Sequence, residues 1–224
     1  MTTSIKGVVV DAEGSAPIVR SDLPAPTPGP GEVLVRVHAS SANPVDNAIA
    51  AGMLVGMIEH EFPVTLGRDY AGVVEEVGAD VTNFAPGDEV FGFVSHADPT
   101  VHKGSWAEVI TLPQDAAIAR KPGNVDLATA GAAALTGITA MTLVDALEPG
   151  GRVASPNSAA GDGPGRTNVM AEPSTENLER FAGLLDAGTL KLHIQDSYDL
   201  DRAAEALQAL GSTHTRGKLG IRVT

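Results

Sequence analysis

Short β-branched runs, broken by glycine and proline at about ten-residue intervals, fill the front of this chain, a rhythm that points to a small β barrel. Gly7-Val8-Val9-Val10 is the first run. The stretch from Asp22 to Gly31 carries Pro24, Pro26, Pro28 and Pro30, which excludes helix and central strand. Glu32 to Ala39 then alternates with period two, with Val33, Val35 and Val37 on one face and Glu32, Leu34, Arg36 and His38 on the other. Pro44 opens a short helix through Ala51, and Gly52 closes it. Gly72 to Gly78 reads as another strand, and Pro86-Gly87-Asp88 turns the chain into Glu89 to Val94.

From Val125 the pattern changes. Leu127 to Leu135 and Thr136 to Leu147 are alanine-rich and helical. Glu148-Pro149-Gly150-Gly151 is a turn, Arg152 to Ser155 a short strand, and Pro156 to Gly165 a loop crowded with glycine and proline. Ser174 caps a helix whose apolar face is Leu178, Phe181, Leu184 and Leu185, and Gly188 ends it. Asp199 or Asp201 starts a last helix with Ala203, Ala206, Leu207 and Leu210 inward and Gly211 as its stop. Lys218 to Val223 closes the chain as a strand, and no internal repeat is visible.

Composition narrows the function classes. At 224 residues and 43% hydrophobic, the chain is long and apolar enough for a globular core. A net charge of −13 and 4% aromatics argue against nucleic acid, which needs clustered Lys and Arg or stacking platforms. No apolar run approaches membrane-spanning length, and Met1 to Lys6 lacks an apolar signal region. The absence of cysteine excludes disulfides and thiolate metal sites and fits a reducing cytoplasm.

Several segments occur in one telling order: Pro28-Gly29-Pro30-Gly31-Glu32-Val33-Leu34-Val35, Asn43-Pro44-Val45-Asp46, Phe62 through Gly67-Arg68-Asp69-Tyr70 to Val74, Phe84 to Val90, Gly104 to Glu108, and Ala133 to Ala140. With the tail from Leu178 through Gly188 to Lys218, this resembles the zinc-independent medium-chain dehydrogenases/reductases of the quinone oxidoreductase type. The resemblance implies an α/β (α+β) fold, with a GroES-like partly open β barrel and peripheral helices. It also implies a Rossmann domain inserted before the C-terminal residues return. Such a domain takes on the order of 100 residues, yet Leu147 runs directly into the Pro149-Gly150-Gly151 turn. The nucleotide-binding part is therefore expected to be absent or vestigial. The expected division is 1–147 for the front of the substrate domain, 148–169 for a residual segment from the nucleotide-binding side, and 170–224 for the return segment. Glu148 to Gly165 can also be aligned with a first Rossmann strand and its glycine fingerprint. Against that, Pro164 removes an amide where phosphate needs donors, and Arg166-Thr167-Asn168 opens no apolar helix.

The activity implied by the resemblance is hydride transfer from NADPH to a quinone or enone, without zinc; a cytoplasmic homodimer is expected. The alternative is a non-enzymatic GroES-like binding module. No metal is expected: Gly67-Arg68-Asp69 stands where zinc-dependent relatives carry Gly-His-Glu, no cysteine is near Asn43, and His60, His96 and His102 are scattered. Asn43 matches the position facing cofactor and substrate, but reads equally as a turn residue before Pro44. Asp46 reads as a helix cap, and Arg68 with Asp69 as a pair holding a loop. Thr136 matches the hinge threonine near the nicotinamide, or back-bonds to its own helix. Asn157 follows a strand end that the family sets beside the nicotinamide amide. Arg216 and Lys218 resemble the family's basic pair near a cofactor phosphate, while by their own chemistry they read as a solvated strand end. Tyr70 is the candidate proton donor, with core packing as its other reading. If the nucleotide-binding half is missing, the helices from Thr136 to Leu147 should leave an apolar face exposed.

Overall fold

The computed structural model describes residues 4–95, 99–146, 153–155, 166–168, 174–212 and 214–224. In chain order the elements are β1 (Ser4–Val10), β2 (Ile18–Pro24), β3 (Glu32–Ala42), α1 (Pro44–Ala50), β4 (Val64–Thr65), β5 (Asp69–Val77), β6 (Glu89–Phe93), β7 (Val109–Pro113) and β8 (Ile118–Arg120). There follow α2 (Leu127–Ala130), α3 (Ala134–Ala146), β9 (Val153–Ser155), β10 (Arg166–Asn168), α4 (Thr175–Asp186), β11 (Ile194–Asp199), α5 (Ala203–Ser212) and β12 (Lys218–Arg222).

The spine is β3. Its valines point into the barrel, where Val33, Val35 and Val37 meet Tyr70, Val74, Val90, Ile110 and Ile118. Along its length β3 pairs antiparallel with β5, with β7 and, at its far end, with β12. The seven-stranded sheet runs β11-β12-β3-β5-β6-β8 with β7 also on β3, and a separate three-stranded sheet runs β2-β1-β4. The two sheets touch where Val8 N donates to Trp106 O at 2.8 Å, and they do not close into a full barrel. The smaller sheet covers the second face of β3, so Leu34 is buried against Ile5, Val9 and Leu23. The alternation in Glu32–Ala39 predicts a polar outer face; tertiary cover turns part of that face into core.

Three further differences have simple causes. β3 continues to Ala42, because β12 supplies hydrogen-bond partners for Ala39 to Ala42. β11 has no apolar alternation to advertise it (IQDSYD), and it exists by pairing in parallel with β12. α5 runs past Gly211 to Ser212. The helix ends on α1 and α4 follow the sequence: Gly52 and Gly188 have φ of +71° and +67°, and Ser174 Oγ accepts from Asn177 N at 3.2 Å.

Helices α2, α3 and α4 pack over β5, β6 and β8 through Phe91, Phe93, Ala130, Ile138, Leu178 and Phe181. Gly137 is required where α3 meets α4, since a Cβ there would lie 2.4 Å from the Phe181 ring. On the opposite side of α3, Thr136, Ala140 and Val144 are exposed, Val144 to 63%. β9 and β10 form a separate two-stranded parallel sheet. β10 is a strand where a phosphate-binding fingerprint would require a helix. No helix among the described residues is long and apolar enough to cross a membrane.

Candidate functional site

A buried polar cluster sits where the end of β3, the start of β5, the N-terminus of α3 and the first residue of β12 meet. Its centre is Asp69, with no exposed surface. Gly67 has φ +88°, a left-handed value that swings the chain into β5, and a Cβ there would strike the Trp106 ring at 2.2 Å. That turn delivers Arg68 and Asp69 to different neighbours. One oxygen of Asp69, Oδ2, accepts from Ser41 Oγ at 2.6 Å, Asn43 Nδ2 at 2.8 Å and Lys218 Nζ at 3.3 Å. The other, Oδ1, accepts from the Leu135 backbone amide at 2.6 Å. A carboxylate removed from water needs such compensation. The Asp69 carbonyl is also held, by Ser40 Oγ at 2.6 Å and Ser105 Oγ at 2.5 Å.

Lys218 is the second hub. Its ammonium lies 2.5 Å from Asn43 Oδ1, 3.3 Å from Thr136 Oγ1 and 3.5 Å from the Ala42 carbonyl, in addition to Asp69. The pairing of Leu219 with Ala42 sets this register and carries Lys218 under the end of β3. The reading of Lys218 as a solvated strand end is therefore corrected, since the residue is 8% exposed. Thr136 stands at the exposed lip of the cluster. Thr139 and Thr142 back-bond to Leu135 O and Ile138 O, whereas Thr136 Oγ1 meets Lys218 instead.

Next to this cluster lies a second buried pair. Asp46 Oδ2 accepts from the Asn43 amide at 2.8 Å and Oδ1 from the Gly67 amide at 3.1 Å, so it caps α1 and fastens the neighbouring turn. Arg68 Nε is 3.9 Å from Asp46, while its Nη1 and Nη2 donate to Ser95 O at 3.0 Å and Thr65 O at 2.9 Å. The expected Arg68–Asp69 pair thus resolves into two: Arg68 with Asp46, and Lys218 with Asp69. Burial pushes the Asp46 carboxyl up to about 6, against the opposing pull of the Arg68 guanidinium.

The structure separates Tyr70 from this site. Its neighbour Asp69 faces the cluster, but the Tyr70 ring lies within the barrel and its hydroxyl donates to Ala117 O at 3.2 Å. Burial raises its pKa well above the usual phenol value, which makes proton release harder. Arg216 is exposed, with its backbone amide on Gln195 Oε1 at 2.6 Å. Asn157 and His96 lie outside the described residues. His60 stacks on Phe62 at 5.8 Å and His102 is exposed, and among the described residues no group of three or more acidic or histidine side chains is arranged for a metal. Sequence reasoning missed Ser40, Ser41, Ser105 and the central place of Asp69. The available signal was the run of small residues Ala39-Ser40-Ser41-Ala42, unusual in a strand covered on both faces.

Comparison with known proteins agrees with this architecture. Residues 29–123 match the alcohol dehydrogenase GroES-like domain, and residues 105–219, half of the chain, match the zinc-binding dehydrogenase family. The chain is 35% identical over 128 residues to a chloroplast envelope quinone oxidoreductase homolog of Arabidopsis thaliana, covering 57% of this chain and 37% of that protein. It is 34% identical over 128 residues to the mitochondrial NAD(P)H oxidoreductase RTN4IP1 of Homo sapiens, covering 52% of this chain and 31% of that one. The matched part thus spans about a third of the length of these relatives. The solved quinone oxidoreductase from Coxiella burnetii superposes with a TM-score of 0.82 at 18% identity, across 99% of this chain and 100% of that chain, a likeness of fold. The chain belongs to the medium-chain dehydrogenase/reductase family, with its quinone oxidoreductase-like members.

Proposed function

We propose that this chain is the substrate-side part of an NADPH-dependent oxidoreductase that reduces a quinone or enone without zinc. The observation that supports it most is the Asn43–Thr136–Lys218 group, brought together by β3, α3 and β12 around a buried carboxylate. The exposed Thr136 hydroxyl, backed by the Lys218 ammonium that Asn43 and Asp69 hold in place, can both donate and accept, as a nicotinamide carboxamide requires. A bound reduced nicotinamide supplies the hydride. Asn43 and Lys218 fix the floor of the site, and Thr136 orients what lies at its lip. In this reading residues 1–147 and 170–224 together form the substrate domain, and 148–169 is a remnant of the nucleotide-binding side. Asn157 and Arg216 are then peripheral cofactor contacts, and Tyr70 has no part in the chemistry.

Zinc does not suit the donor set. Arg68 and Lys218 already bring two cations to the two buried carboxylates, and the Asn43 amide directs an N–H at Asp69. A cytoplasmic location goes with this reading, although relatives carry mitochondrial and chloroplastic names. The test is steady-state oxidation of NADPH, and separately of NADH, by the full chain with a series of quinones and enones, alongside a fluorescence titration with NADPH. Because most of the nucleotide-binding side is missing in this reading, weak nicotinamide binding and slow turnover with a conjugated carbonyl, faster with NADPH than with NADH, are expected. Absence of both turnover and nicotinamide binding would leave the non-enzymatic GroES-like module as the better reading.

A further inference from the structure

Two-electron reduction of a conjugated carbonyl needs a proton as well as a hydride, and the hydroxyls of the cluster can be sorted by where their protons go. Ser41 directs its proton to Asp69 Oδ2, and Ser40 and Ser105 approach the Asp69 carbonyl. Tyr70 donates to Ala117 O inside the barrel. Thr139 and Thr142 donate to carbonyls of their own helix. Thr136 is different: its oxygen faces the Lys218 ammonium at 3.3 Å, and its O–H has no acceptor among the described residues. It is also the member of the group that reaches solvent. Asp46, whose carboxyl pKa is pushed up by burial, is sealed beneath two backbone amides and cannot reach a ligand at the lip.

We propose that Thr136 is the proton donor of the site and that Lys218 refills it. This rests on the conjugated-carbonyl reading above. When hydride adds to the electrophilic carbon, a C–H bond forms, the π electron pair moves to the carbonyl oxygen, and the reduced nicotinamide is oxidised. The oxygen then takes the proton from Thr136 Oγ1, and Thr136 takes one from Lys218 Nζ. Lys218, left as the amine, recovers its proton from water through the 10% of its side chain that is exposed. Thr136 is the catalytic residue; Lys218 is a positioning and relay residue, held by Asp69 and Asn43 so that its charge stays at the site.

Two measurements on the full chain separate this proposal from the reading beneath it. p-Nitrophenol, whose phenolate oxygen mimics the reduced carbonyl oxygen, is titrated without cofactor near its own pKa, and the phenolate absorbance is followed. Binding as the phenolate is expected, weakened about tenfold in Thr136→Val and restored in Thr136→Ser. Absence of binding, or equal binding by Thr136→Val, would overturn the proposal. Where turnover is found, Thr136→Val should lower kcat about 10²-fold with KM little changed, and Thr136→Ser should recover most of it. Turnover that ignores Thr136→Val overturns the relay and leaves the oxidoreductase reading standing. Phenolate binding of the expected pattern with no turnover on any acceptor fails the oxidoreductase reading alone. Thr136 is exposed, so its substitution is not expected to unfold the chain.

Discussion

Asp46 and Asp69 are both fully buried carboxylates at one end of the barrel, yet they are satisfied in opposite ways. Asp46 takes its two amides from close by, one three residues before it and one in the turn packed against it, with Arg68 at 3.9 Å. Asp69 gathers Ser41, Asn43, the α3 amide and an ammonium 149 residues further along the chain. The first is a local cap with a cation nearby. The second is a junction whose donors come from elements that only the fold brings together. A local cap protects one helix end, whereas the junction holds the C-terminal return strand against the front of the chain and builds the candidate site in doing so.

The sharpest way to break this contrast is to remove the cation of the junction. Lys218→Met leaves Asp69 buried without its counter-charge and should destabilise the chain by about 3 kcal/mol or more. Urea denaturation measures this, and the double variant Asp69→Asn with Lys218→Met should recover much of the loss. An additive double variant would mean that the pair is not coupled, and the contrast would fail.

At Asp46 the expected effect is smaller and depends on pH. Its carboxyl titrates near 6 in the folded chain, above the ordinary 3.8, so the folded state binds its proton more tightly than the unfolded state does. Its contribution to stability is therefore full below the ordinary carboxylate range and is lost as pH rises toward 6. Asp46→Asn should abolish that component, so the stability difference between wild type and variant changes by at most about 1.4 kcal/mol per pH unit across the window. A difference that stays flat with pH would show that Arg68 and the two amides keep the carboxylate ionised throughout.

The smallest effect should come from a cap with no tertiary load. Ser174→Ala removes the Oγ acceptor of Asn177 N and should cost about 1 kcal/mol, with no pH dependence. A loss as large as that of Lys218→Met would blur the distinction between cap and junction.

Much of the fold was legible because it is written in local chemistry. The glycines after α1 and α4, the serine before α4, the proline opening α1 and the alternation of β3 each act within a few residues. β11 was illegible because its pattern is polar and its reason to exist is β12. At the site, Asn43, Thr136 and Lys218 were singled out from the family pattern, but not the chemistry that joins them. Tyr70 and Asp69 are neighbours in a strand, and adjacent strand residues face opposite sides; sequence alone does not say which side holds the barrel core.

By itself, then, the sequence determined where strands, turns and helix ends fall, since backbone conformation and capping depend on near neighbours. It also carried the family. Only the tertiary structure decided that Asp69 belongs to Lys218 and Arg68 to Asp46. The physical reason is desolvation: a charge in the chain has no need of a particular partner until folding removes its water, and which opposite charge is then within reach depends on how distant segments pack.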